Sequence, residues 1–169
     1  MGHVQKIIFR FYNRFWENKS FKPLSFLHTD PKNYFPTWWT LQPIRSPCLT
    51  AWQGGVKAKE MMNWTDQQRT DAGLKTLSKI MGISASSLKD HLKCWHSHNW
   101  SKDLNSLGAY SYIAVDGISY SKRLKNPFSD TIYFAGEATV DGPGRGTVQG
   151  ALESGDRVAQ SVLASKFSD

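Results

Sequence analysis

Short apolar runs broken by proline, one helix with complete start and stop signals, and a glycine-rich turn entering a second helix predict an α+β fold for this 169-residue chain. The short runs suit a mostly antiparallel sheet, because parallel strands need long crossover connections. The closing segment, TIYFAGEATVDGPGRGTVQGALESG at Thr131 to Gly155, reads as a buried strand, a tight turn and a helix start. Hydrophobic residues make up 40% of the chain and aromatic residues 13%, which excludes disorder and supplies a sizeable core.

Val4 to Tyr12 is expected as the first strand, with Ile7, Ile8, Phe9 and Phe11 apolar and Lys6 as its early charge. A lone lysine in a strand ordinarily faces solvent. Three more strands are expected at Phe21 to Leu27, Phe35 to Leu41 and Cys48 to Gly54, punctuated by Asp30-Pro31, Gln42-Pro43 and Ser46-Pro47. Paired tryptophans in such strands serve most often as core or interface. Trp64 to Gly82 reads as a helix: Thr65 caps it, Gln68 completes a capping box, Gly82 stops it, and Leu74, Leu77, Ile80 and Met81 form the buried stripe.

Leu88 to His98 is expected to return to strand, which puts Cys94, His96 and His98 on one face. Side chains two apart on a strand diverge, and a fourth ligand is not evident, so no metal site is expected. Ser119 to Asn126 suggests a short helical turn before Pro127. The segment from Thr131 to Ala135 is the expected buried strand, ended by Gly136. From Thr147 a helix follows, with Val148, Ala151, Leu152, Val158, Ala159, Val162 and Leu163 apolar and Glu153 and Arg157 paired on its wet side. Strand, glycine turn and helix start present free N–H groups to an anion or an electron-rich carbonyl, although an ordinary tight connection has the same pattern. Gly142, Gly144 and Gly146 do not fit G-x-G-x-x-G, and no phosphate-loop motif occurs.

The formal charge is +7, but lysine and arginine are scattered, with no cluster beyond Ser121 to Lys125, so no nucleic-acid partner is expected. No run approaches the roughly 20 apolar residues of a membrane span, and the N-terminus lacks a signal peptide's order. A soluble, cytoplasmic protein without membrane partners is therefore expected, with Cys48 and Cys94 as reduced, buried thiols.

The motifs F-A-G-E-x-T at Phe134 to Thr139 and G-T-V-x-G-A-x-x-S-G at Gly146 to Gly155 resemble the last cofactor-contacting segment of the flavin-dependent amine oxidases, the family of monoamine oxidases, polyamine oxidases and the lysine-specific histone demethylase. The resemblance continues through M-G-x-x-x-K-I-x-x-x-F at Met1 to Phe11, F-P-T-W-W at Phe35 to Trp39, L-T-x-W-x-G-G at Leu49 to Gly55, and W-x-x-D-x-x-x-x-G-x-Y-x-Y from Trp100. It spans Met1 to about Leu163.

The resemblance implies a partial substrate-binding domain over residues 1–118, built on an antiparallel sheet with helices. Residues 119–169 would add the last strand and helix of a Rossmann-like FAD-binding domain, leaving an incomplete fold. Lys6 would hold a water against flavin N5, and Trp100 and Tyr110 would shape the amine pocket. Trp100, Gly136, Glu137, Gly146, Thr147 and Val148 would contact FAD. Ala109 stands where monoamine oxidases carry the cysteine linked to flavin, which implies non-covalent FAD. Thr147 stands where they carry a second cage tyrosine, nearer the polyamine oxidase and demethylase pattern. The family's opening βαβ unit with its G-x-G-x-x-G turn is absent from this sequence.

The expected activity is oxidation of an amine to an imine and carbonyl with reduction of oxygen to hydrogen peroxide, in a chain inactive without a complementary N-terminal polypeptide. The alternative is a non-catalytic remnant or partner subunit.

Overall fold

The computed structural model describes residues 1–18 and 23–166. The chain packs as two compact units, His3–Gly108 and Met1–Gly2 with Ala109–Asp169.

The first unit is built on a five-stranded antiparallel sheet of β1 (Val4–Phe11), β2 (Phe26–His28), β3 (Thr37–Trp39), β4 (Cys48–Gly54) and β5 (Leu92–Ser97), in the order β2-β3-β4-β1-β5. Register gives each face its character, because residues paired across strands project to the same side. Gln5, Ile7 and Phe9 pair with Gln53, Ala51 and Leu49, and all six are buried. Lys6, Ile8 and Arg10 pair with Trp52, Thr50 and Cys48 on the other face.

Helices α1 (Gly55–Glu60), α2 (Asp66–Met81) and α3 (Ala85–His91) accompany the sheet. Leu74, Leu77 and Met81 of α2 and Leu88 of α3 join Ile7, Phe9, Phe11, Trp38 and Leu49 in one core. A Cβ at Gly73 would lie 2.9 Å from the Phe9 ring, so the missing side chain lets α2 approach the sheet. Both capping-box hydrogen bonds of Thr65 and Gln68 are present, and Gly82 ends α2 at φ 62°.

Three strands are clearly shorter than expected. Phe35 has a left-handed backbone at φ 54° and Pro36 lacks an N–H, so pairing starts only at Thr37. The Phe35 N–H donates to Gln53 Oε1 at 3.0 Å, and its carbonyl accepts from Trp38 Nε1 at 2.7 Å. β2 begins at Phe26, and the earlier residues Phe21 and Lys22 lie outside the described residues. The expected strand from Leu88 is helix as far as His91: the Ser84 hydroxyl accepts the Ser87 N–H and caps α3, and β5 begins at Leu92.

The second unit contains α4 (Ile118–Arg123) and α5 (Val148–Lys166). Thr131 to Ala135 is not a strand. Its one pairing is an isolated bridge between Phe128 and Ile132, and Ile132 and Phe134 are exposed. A strand exists only through hydrogen bonds to a neighbour, and the unit has no other named strand among the described residues.

On α5 the helical period is as expected but the buried side is different. Gly150 and Ser154 are buried, whereas Val148, Leu152 and Leu163 are exposed at 74%, 66% and 57%. Arg157 does not pair with Glu153. Its guanidinium donates to the Lys125 and Phe134 carbonyls at 2.9 and 3.0 Å and to Thr139 Oγ1 at 3.2 Å.

Candidate functional site

The open face of the sheet carries the chemistry of the first unit. Across one row, Thr37 pairs with Trp52 and Trp52 with Lys6. The next row runs Phe26, Trp39, Thr50, Ile8 and His96. The Lys6 side chain is exposed and makes no hydrogen bond or ion pair among the described residues. A cation with free donors thus stands beside an indole, able to hold a water or a polar group over the sheet.

Gly54 sets the position of that indole. A Cβ there would come within 2.5 Å of Trp52 Cη2, so the ring lies back along its own strand over the glycine. The sequence singles out Trp52 and Trp39 only as structural aromatics. The period-two alternation that places both with Lys6 was the available signal.

Trp100 follows β5 and is 41% exposed. Its ring meets the His98 ring edge to face with centroids 4.4 Å apart, and its carbonyl accepts the Gly108 N–H at 3.0 Å. Asp103 closes this loop by accepting the Asn105 and Ser106 N–H groups at 3.0 Å each. Cys94 is exposed at the sheet's edge strand and Cys48 half-buried, so the thiols are not buried as expected, and no cluster of three metal-ligating side chains occurs among the described residues.

In the second unit, Glu137 organises the glycine turn. Its Oε1 accepts the Ser111 N–H at 2.8 Å, and its Oε2 accepts the Ser111 hydroxyl at 2.7 Å and the Gly146 N–H at 2.9 Å. Burial alone would raise its pKa. The Ser111 hydroxyl and N–H, the Gly146 N–H and nearby Arg145 outweigh that and hold the carboxyl below its ordinary 4.5. In this unit Ser111 and Arg145 are the residues that sequence reasoning missed. Arg145 donates to the Ala138 carbonyl at 2.7 Å and to Ser121 Oγ.

Gly136 and Gly146 have φ of 130° and 72°, conformations that few side-chain-bearing residues adopt. The Gly136 N–H donates to Ser154 Oγ at 2.8 Å. The Thr147 hydroxyl accepts the Gly150 N–H at 3.0 Å and caps α5, while the first-turn N–H groups of Val148 and Gln149 have no intrahelical acceptor. Tyr110 stands beside this helix start: an added Cβ on Gly146 would lie 3.9 Å from its ring. Burial raises the Tyr110 pKa above its ordinary value. The Tyr110 carbonyl accepts the Gly2 N–H at 2.6 Å.

The structure therefore groups Tyr110, Glu137, Gly146, Thr147 and Val148 in one unit, and places Lys6 and Trp100 in the other. Residues 1–163 match the family model for flavin containing amine oxidoreductases. The chain belongs to that family. A lysine-specific histone demethylase 1 homolog 3 from Arabidopsis thaliana is 28% identical to it, and the flavin-containing amine oxidase B of Cavia porcellus 27%. Each alignment covers 96% of this chain but only 10% and 31% of the relative. The chain thus spans less than a third of the length of these curated relatives.

A solved putrescine oxidase, in its A394C form, superposes with a TM-score of 0.80 at 20% identity, over 98% of this chain and 36% of the oxidase. Cyclohexylamine oxidase from Brevibacterium oxydans gives 0.69 at 21% identity. Both share the mixed helix and antiparallel-sheet fold.

Membership in the amine oxidoreductase family implies a flavin cofactor. The donor set of the second unit fits such a group. Two N–H groups without an acceptor at the start of a 19-residue helix suit an electron-rich ring edge, and the glycine turn allows close approach. No helix among the described residues is long and apolar enough to cross a membrane.

Proposed function

We propose that this chain is the carboxyl-terminal part of an FAD-dependent amine oxidase, with FAD held non-covalently. The observation that carries the reading is the family match over residues 1–163 joined to an unpaired Lys6 on the open face of the sheet. Lys6 would hold a water over that face, and Trp100 in the sheet unit and Tyr110 in the second unit would each offer an aromatic surface to the amine. The α5 start behind Thr147 would offer the free N–H groups of Val148 and Gln149 to the flavin, and Gly136 and Gly146 would let the backbone approach. Glu137 fixes the turn and lines the cofactor's polar tail. The flavin supplies two-electron oxidation of the carbon beside the amine nitrogen, with oxygen as the final acceptor and an imine and hydrogen peroxide as products.

The remaining cofactor contacts come from a complementary polypeptide bearing the family's βαβ unit. Exposed Ile113, Val115, Ile118, Phe128, Ile132, Phe134, Val148 and Leu152 supply apolar surface for it to cover. A peroxide assay of the chain combined with the product of an upstream reading frame, over primary amines and polyamines, tests the reading. Peroxide from at least one amine supports it. A flavin-loaded pair that oxidises none would favour a non-catalytic partner subunit. In an active pair, Lys6→Met slows flavin reduction or reoxidation; unchanged rates for both half-reactions would remove Lys6 from the site.

A further inference from the structure

A cleft of about 520 Å³ lies in the sheet unit and shares no residue with the Lys6 face. It is lined by Lys32, Asn33 and Tyr34 on one wall, Trp64 at one end, and Gln68, Ala72, Lys75 and Lys79 along α2. Its volume falls in the range of small-molecule sites.

The wall of residues 32–34 is pinned in place. Lys57 Nζ donates to the Pro31 and Lys32 carbonyls at 2.7 Å each and sits 5.4 Å from the Tyr34 ring centre. Thr76 Oγ1 donates to the Tyr34 carbonyl at 2.6 Å, and Lys79 Nζ to Asn33 Oδ1 at 2.8 Å. The Tyr34 and Trp64 rings meet edge to face with centroids 4.8 Å apart, which gives a fixed aromatic surface.

The charges are unbalanced. Lys32, Lys75 and Lys79 line the cleft against one carboxylate, Asp71, which is engaged by Lys89 at 2.8 Å and by Gln67. Lys75 and Lys79 lie one turn apart on α2, where like charges repel unless an anion sits between them. Neither Lys32 nor Lys75 has an ammonium partner among the described residues. A rigid aromatic surface beside ammonium groups suits a ligand with a flat ring and an anionic tail.

We propose that this cleft binds a nucleoside phosphate, its base against Tyr34 and Trp64 and its phosphate among Lys32, Lys75 and Lys79. The proposal does not depend on the amine oxidase reading. Calorimetric titration of the purified full chain with ADP, inorganic phosphate and adenosine tests it. Saturable ADP binding is expected, at least about tenfold tighter than either fragment, because ring and phosphate contacts add. The double variant Lys75→Glu, Lys79→Glu should weaken it at least about tenfold with unchanged circular dichroism. If that variant unfolds, Lys75→Gln, Lys79→Gln serves instead. No saturable ADP binding, ADP binding no tighter than phosphate, or full affinity in the folded double variant would each overturn the proposal.

Discussion

The two units hold themselves together differently. In the sheet unit the buried residues include Trp16, Trp38, Phe9, Phe11, Phe35, Leu74 and Leu77. In the second unit the buried side chains are Ser121, Thr139 and Ser154, and no large apolar side chain is fully buried among the described residues. Arg145, Arg157 and Glu137 tie its segments by hydrogen bonds instead. Since apolar burial contributes roughly 25 cal/mol per Å², the sheet unit has its own driving force for folding. The second unit has a preorganised polar frame whose apolar side chains face outward, the pattern of a surface made to be covered.

The largest contrast comes from paired leucines. Leu77→Ala in the core should cost about 2–5 kcal/mol, whereas Leu152→Ala, at a position 66% exposed, should change stability by no more than about 0.5 kcal/mol. Hydrogen exchange of the α2 and α5 amides reads both, and equal losses would erase the distinction. Two glycines of α5 sharpen the picture of the polar frame. A Cβ at Gly150 would sit 2.1 Å from the Gly144 carbonyl oxygen, while nothing lies within 4 Å of one at Gly155. Gly155→Ala should stabilise the helix by about 1 kcal/mol through propensity. Gly150→Ala should reverse that sign and cost about 1–3 kcal/mol, because the clash is with backbone.

Smaller still is the Thr65→Ala change, expected to cost about 1 kcal/mol by removing the α2 cap and to act on the sheet unit alone. The pH dependence belongs to the other unit. The folded pKa of Glu137 lies below 4.5, so its contribution is complete above that value and fades as pH falls through the folded pKa. Acid should therefore loosen the glycine turn before the sheet, and Glu137→Gln should flatten that dependence in an exchange experiment over the same pH range.

Local signals were legible in the sequence because their causes are local. Thr65, Gln68 and Gly82 delimit α2 within a few residues, and β4 has the expected bounds. The same reasoning overlooked the Ser84 cap, although serine three residues before Ser87 was visible, and so extended β5 backward to Leu88, inside α3. The Thr131 to Ala135 run has strand composition, but a strand requires a partner, which composition does not supply. The α5 stripe was read by the rule that apolar residues face inward, and here Val148, Leu152 and Leu163 face out. For the site, Lys6 and Glu137 stood out through the family motifs. Trp52, Ser111 and Arg145 needed cross-strand register and long-range hydrogen bonds.

The proposal at stake is that the second unit presents part of a flavin site whose remainder is supplied by the family's βαβ unit. The visible absorption spectrum of the purified chain, recorded alone with added FAD and again after coexpression with the upstream reading frame's product, tests it most directly. A colourless chain that becomes yellow only in the pair, with flavin lost on Gly150→Ala, is the predicted result. A pair that remains colourless, or a single chain that retains flavin and turns over amine unaided, would contradict it.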